Sequence, residues 1–275
     1  MNKFYIQIVF FLLSISLYVN NKTLATEPAP EENTKTKEKT KTKSKDRCST
    51  PEKIYEQNKD LLCDNPEETN QAIKLMGEAV IHFVYYATNK EGYKLRGRCY
   101  SRTAHLYTKK HENNTNVEKV HYPIYYSDKG NEIANNMWDP DVIKSLDYYS
   151  TKRKIVRVYN PNLIMIQQRY KDWIWKRQKY FYALVTKSQI SEDKTIIAMT
   201  SPNVNDHNTS AKEYKNTIIE NANLFTTDID SEEDIRKGEL EKTFVNIAGY
   251  LIEKKGNYSD ITYVESVSDI QILIA

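Results

Sequence analysis

The run Ile155-Val156-Arg157-Val158-Tyr159, then Asn160-Pro161-Asn162, then Leu163-Ile164-Met165-Ile166-Gln167-Gln168-Arg169-Tyr170 decides the fold. Two segments rich in β-branched and aromatic residues flank a turn-forming Asn-Pro step, the pattern of paired strands. Downstream, Lys179–Thr186 and Thr195–Thr200 repeat the pattern around Ser191-Glu192-Asp193. Upstream, Trp138-Asp139-Pro140 closes a short helical segment from Asn131 to Trp138, with Ile133 and Met137 on one side. Four such runs in succession predict a curved antiparallel sheet, and nothing between Trp138 and Pro202 resembles catalytic machinery. Such a sheet is suited to holding something.

Further elements lie on both sides. Asn65-Pro66-Glu67-Glu68 supplies an N-cap, a proline at the first helical position and acids in the first turn. Ala72, Ile73, Met76, Ala79, Val80, Phe83 and Val84 follow at helical spacing, predicting an amphipathic helix to about Ala87. Strands are predicted over Tyr93–Arg98, His105–Lys109, Val117–Tyr126, Thr217–Phe225, Phe244–Ile252 and Ile261–Glu265. The polar stretches Ser201–Lys212 and Asp228–Glu241 read as flexible loops. The order of elements defines an α+β class with a largely antiparallel sheet.

The N-terminal region has a different character. Residues 1–25 combine a short polar start, the apolar run Phe4–Val19 and small residues at Thr23 and Ala25, as in a secretory signal peptide. Residues 26–47 alternate Lys and Thr without a large apolar side chain and read as a disordered linker. The domain proper is residues 48–275, with its core over about 65–266. Of the chain's formal net charge of +3, the excess lies in the leader and linker, so the domain is close to neutral. That balance argues against nucleic acid as a partner. Cys48, Cys63 and Cys99 are too few to scaffold the fold, although a secreted chain permits a Cys48–Cys63 bridge.

Enzyme signatures are lacking. With 7 glycines the chain has no phosphate-binding loop or nucleophile elbow, and its five histidines contain no pair at metal-ligand helix spacing. No cofactor or metal is expected, and the chain is read as a non-enzyme.

The landmarks, in order, are Trp138-Asp139-Pro140, the strands of Arg157–Tyr170, Arg177-Gln178-Lys179-Tyr180-Phe181-Tyr182 and Gly249-Tyr250-Leu251-Ile252. Their order resembles the START (StAR-related lipid-transfer) domain, from about Asn65 to Ser266. The leader Met1–Glu27, Lys152–Asn162 and Lys215–Phe225 are similar to the corresponding stretches of the Plasmodium fam-a proteins, secreted START-like members of a multigene family. The resemblance implies a START-like helix-grip fold and an apolar tunnel carrying phospholipid, phosphatidylcholine in particular. It also implies transient contact with a membrane surface and a location at the parasite surface, in the parasitophorous vacuole or in the host erythrocyte. A monomer is expected.

Candidate lipid-binding residues are Arg157, Tyr159, Arg169, Trp173, Tyr180, Tyr182, Met199 and Tyr250, with Trp175 as a further aromatic. Arginine suits a phosphate and aromatic faces suit a choline ammonium. Strand alternation puts Arg157 with Tyr159 and Tyr180 with Tyr182, and leaves open which face turns inward. Two departures from the START pattern stand out. Gln167 and Ala183 fall near the positions where some relatives carry an acid and an arginine. Only Val267–Ala275 follows the last strand, about 13 Å if helical, where START domains have a long lid helix. Two alternatives stay open: an exported host-interaction or variant surface protein using the fold as a scaffold, or a truncated non-functional copy, which a shortened or missing lid supports.

Overall fold

A computed structural model describes residues 50–99, 104–111, 115–125, 130–140, 151–171, 175–210 and 213–268. The chain opens with helix α1 (Pro51–Gln57), where the Thr50 hydroxyl accepts from the Lys53 amide at 3.3 Å, and a 3₁₀ turn (Lys59–Leu61). The long helix α2 (Pro66–Thr88) starts where the cap predicts: Asn65 Oδ1 accepts from the Glu67 and Glu68 amides at 2.9 and 3.2 Å. Its apolar stripe, including Ala72, Met76, Ala79, Val80 and Phe83, is buried.

The strands are β1 (Lys94–Cys99), β2 (Ala104–Lys110), β3 (Asn116–Tyr125), β4 (Lys152–Asn160), β5 (Leu163–Tyr170), β6 (Lys179–Ser191), β7 (Lys194–Thr200), β11 (Val245–Lys255) and β12 (Tyr258–Val267). Helix α3 (Gly130–Trp138) lies between β3 and β4 in sequence. Two minor strands, β8 (Asn203–Asn205) and β9 (Thr226–Asp228), form a separate parallel pair; a short helix α4 (Glu233–Arg236) and β10 (Glu241–Lys242) follow. The main sheet runs β1-β2-β3-β12-β11-β7-β6-β5-β4, antiparallel throughout, with β10 adding in parallel beside the start of β6. The β3–β12 pairing joins the two halves of the chain. This is the expected α+β architecture, a curved antiparallel sheet with few helices.

Gly249 marks a tight crossing. It pairs with Ala198 of β7 at φ +154°, and a Cβ there would stand 2.1 Å from the Ile197 carbonyl oxygen. The Gly256-Asn257 turn fixes the β11–β12 register, so that Tyr250 faces Tyr263.

Three expectations need correction. Residues 217–225 form no strand. Asn216 is buried, and its Oδ1 accepts from the Ile218 and Ile219 amides, both at 2.9 Å, turning the chain into the 3₁₀ helix Glu220–Asn223. Its Nδ2 donates to the Asn246 carbonyl at 2.9 Å, pinning the turn to β11. The connections at 201–212 and 228–241, expected as flexible loops, are anchored over the sheet wherever they are described, through β8, β9 and α4. Helix α1, missed in the sequence because it spans barely two turns, adds Ile54 to the core, and Leu62 bridges to Val158 of β4. The Cys63 thiol is free, so it makes no bridge among the described residues.

Candidate functional site

Alternation along each strand divides the sheet into two faces with different covers. One face lies under α2 and segment 201–241. Lys119 of β3 donates to the Tyr86 and Asn89 carbonyls at the end of α2 (3.4 and 2.6 Å), placing that parity of β3 beneath the helix. On the opposite face Ile164, Ile166, Phe181, Ala183, Val185, Ile197, Met199, Ala248, Ile252 and Ile261 form a continuous apolar cluster. Trp138 and Ala134 of α3 and Ile54 of α1 pack onto it, and Tyr122, Ile124, Ile133, Met137, Ile155, Tyr250 and Val267 border it half-buried.

Five of the eight candidate residues sit on the first face, beneath segment 201–241. The Arg157 guanidinium meets Glu68 of α2 at 2.8 Å, the Asp228 carbonyl at 2.9 Å and the Thr227 hydroxyl. Tyr159 donates to the same Glu68 carboxylate at 2.8 Å. Arg169 grips Asp234 through two hydrogen bonds, at 2.5 and 3.0 Å, and reaches Glu232 at 3.1 Å. Tyr180 donates to Asp206 at 2.8 Å, and Tyr182 accepts from Gln167 at 2.8 Å. Arg157 and Arg169, read as phosphate ligands, are thus ion-paired to the protein's own carboxylates, and the three tyrosines are buried in the same network. Met199 and Tyr250 do lie on the apolar face. Trp173 is outside the described residues, while Trp175 is 88% exposed in the β5–β6 connection. Gln167 and Ala183, taken together in the sequence, point to opposite faces.

Acid will loosen this cover. Burial alone would raise the Glu68 and Glu232 carboxyls. Hydrogen bonds from Arg157, Tyr159 and Thr227 hold Glu68 below its ordinary value, and Lys154 and Gln167 bring Glu232 down from 4.5 to about 2. Asp234 is lowered chiefly by its hydrogen bond from Arg169. Depressed carboxylates stabilise the folded state above their unfolded values and lose that contribution as pH falls through the folded ones. Proteolytic cleavage within 201–241 should therefore accelerate as pH drops from about 4.5 toward about 2, measurable with an acid-active protease under otherwise native conditions.

The apolar face also carries a polar set that the sequence reading missed, apart from Tyr250. Tyr250 and Tyr263 are cross-strand partners with ring centroids 4.8 Å apart at 35°. Tyr263 donates to Glu265, which pairs in register with Glu118 of β3. On β4 and β5, Arg153 donates to Gln168 Oε1 from Nε at 2.9 Å and from Nη2 at 2.5 Å. Burial pushes up the Tyr250 and Tyr263 hydroxyls and, with repulsion from Glu118, the Glu265 carboxyl. All three nevertheless keep accessible surface.

The Arg153 charge draws down both tyrosine hydroxyls against the push of burial. The sheet is curved, and its apolar face is the one that carries α1 and α3. The signal was present in the sequence: counting back from Gly256-Asn257 places Tyr263 against Tyr250, and period two adds Glu265.

No family model matches the sequence, and no curated protein does. Solved structures do match in shape. Human StAR-related lipid transfer protein 5 superposes with a TM-score of 0.54 at 11% identity, covering 74% of this chain and 86% of that one. Human STARD10 gives 0.46 at 15% identity, with 70% and 66% covered. The fold is that of the StAR-related lipid-transfer domains, a START-like helix grip. At these identities the likeness establishes architecture alone.

Proposed function

We propose that this protein is a lipid carrier that shields the acyl chains of a phospholipid against the inner face of its curled sheet and carries out no chemical step. The observation that carries this reading is the apolar face from Val158 to Ile261, whose border residues Tyr122, Ile124, Ile155 and Tyr250 are only half-buried. Each acyl methylene moved from water onto such a wall contributes about 0.8 kcal/mol. Two chains therefore favour the bound state strongly without a specific hydrogen bond. The START architecture, shared with a protein described as a lipid transfer protein, supports the same reading.

Phosphatidylcholine is the lipid this reading favours. A secreted fam-a-type carrier working at the parasite surface, in the vacuole or in the host cell fits the apolar leader and the Lys/Thr linker. Transfer requires a brief encounter with a bilayer. Trp175 is suited to it: an exposed indole favours the headgroup region, and Lys171, Lys176 and Arg177 around it favour anionic lipid. The protein is expected to work as a monomer and without nucleic acid.

The test is transfer of fluorescent phosphatidylcholine from donor to acceptor vesicles. The protein should raise the rate in proportion to its concentration; a folded protein that moves no lipid would refute the carrier reading. Trp175→Ala should slow transfer several-fold and leave the melting temperature unchanged, because the side chain is almost wholly exposed.

A further inference from the structure

We propose that Lys90, Lys109 and Lys119, gathered around Tyr93 at the C-terminal end of α2, form a binding site for a phosphate monoester dianion. The site lies on the face of the sheet under α2, opposite the apolar one, and is independent of the carrier reading.

The turn after α2 places the first lysine. Asn89 Oδ1 accepts from the Glu91 amide at 2.8 Å, Gly92 takes φ +78°, and the Tyr93 amide donates to the Lys90 carbonyl at 3.4 Å. Strands β2 and β3 bring the other two to the same face, since Lys109 pairs with Val117, two residues before Lys119. Both ammoniums stand over the Tyr93 ring, Lys119 at 3.8 Å from its centre and Lys109 at 5.9 Å. Lys109 also lies 5.2 and 6.0 Å from the Tyr85 and Tyr86 ring centres and donates to the Tyr85 hydroxyl at 3.4 Å. Lys119 is buried, Lys109 half-buried and Lys90 exposed, so the cluster opens to solvent on one side.

What this cluster lacks is an anion. Among the described residues no carboxylate pairs with Lys90, Lys109 or Lys119, Glu91 of the same turn included. The end of the helix accounts for one lysine: Lys119 donates to the Tyr86 and Asn89 carbonyls. A helix C-terminus offers about half a negative charge, which a single ammonium satisfies. Ring faces hold a cation without cancelling its charge. Lys90 and Lys109 therefore remain in excess. Burial, followed by these two neighbouring charges, brings the Lys119 ammonium down from 10.5 to about 8.

A phosphate monoester fits this excess. It carries close to two negative charges near neutral pH and three acceptor oxygens, each able to take a charge-assisted hydrogen bond. Tyr85, 39% exposed, has a hydroxyl proton that no described residue accepts, so it can serve the same anion. A phosphodiester with a choline head suits the site poorly, because it brings one negative charge and an ammonium that the lysines repel. The monoester can be free in solution or the headgroup of a membrane lipid.

The experiment follows the lysine side-chain NMR signals of the purified protein during titration with inorganic phosphate, with Lys119 assigned through Lys119→Arg. In wild-type protein, phosphate should raise the Lys119 titration midpoint from about 8 toward the ordinary lysine value, and chloride at matched ionic strength should move it far less. Lys109→Met, which keeps a stem against the three rings, should weaken phosphate binding about tenfold, and Lys90→Gln about threefold. Lys110→Gln, on the other face of β2, should leave it unchanged. Flotation with vesicles containing phosphatidic acid or phosphatidylglycerol identifies the source of the anion. A preference for phosphatidic acid that Lys109→Met removes puts the monoester on a lipid; phosphate binding without that preference makes it a soluble one. Equal movement of Lys119 in phosphate and chloride, or unaltered phosphate affinity in folded Lys109→Met protein, would overturn the site and leave the carrier reading standing.

Discussion

Gly249→Ala is expected to destabilise the domain by roughly 3 kcal/mol or more. Two causes act together. The backbone at φ +154° is one that L side chains rarely adopt, and the new methyl would stand 2.1 Å from the Ile197 carbonyl oxygen. That oxygen belongs to the central strand β7, paired on both sides, so it can move only if the β6–β7–β11 ladder moves with it. For a domain of this length a loss of that size lowers the melting temperature by about 10 °C. Thermal denaturation followed by circular dichroism measures it, and an unchanged melting temperature would show that the crossing of β7 and β11 is looser than described. Because Tyr250 is the next residue, lipid extraction should suffer in any molecules that remain folded.

Asp206→Ala is the second large effect. Asp206 and Lys242 form an ion pair at 2.9 Å with side chains only 3% and 7% exposed, and Tyr180 donates to the same carboxylate. Burial lowers the Lys242 pKa, and Asp206 opposes that fall. Removing the carboxylate leaves a buried ammonium and a phenol without their acceptor, at a cost of about 3–5 kcal/mol. Because Lys242 also donates to the Val204 carbonyl at 2.8 Å, the loss should free the start of segment 201–241. Urea denaturation should show the stability change, and limited proteolysis should cut first within 201–241. Pairing Asp206→Leu with Lys242→Met should recover most of the loss, since an apolar pair needs no counter-charge. Failure of the double variant to recover would mean that the Tyr180 bond, rather than the ion pair, holds the segment.

The elements of this fold were largely legible, and for local reasons. Asn65-Pro66 set the start of α2, and Asn160-Pro161 and Glu192-Asp193 set two hairpins, because cap and turn chemistry acts over a few residues. Residues 217–225 were misread because their apolar spacing fits a strand, whereas the side chain of Asn216 captures the backbone amides a strand would have needed. Leu224, which a strand would have buried, is 77% exposed.

The site was the least legible part. Leu163-Ile164-Met165-Ile166 is buried on both sides, so alternation sorts residues by face without saying which face curls inward. Arg157, Tyr159, Arg169, Tyr180 and Tyr182 carry the chemistry of a headgroup site and serve to fasten α2 and segment 201–241. Their partners Glu68, Asp206, Glu232 and Asp234 are distant in sequence, and no spacing rule connects them. Glu265 and Arg153 drew no attention in the sequence because single charges near strand ends are ordinary.

Photolabelling tests the central claim most directly. The protein would be loaded with phosphatidylcholine carrying a diazirine on an acyl chain, irradiated, digested and mapped by mass spectrometry. Adducts are predicted on inward-facing residues such as Ile166, Met199, Tyr250 and Ile252, spaced by two along their strands. Labelling concentrated on Tyr159, Tyr180 and Tyr182, on the face beneath segment 201–241, would contradict the account.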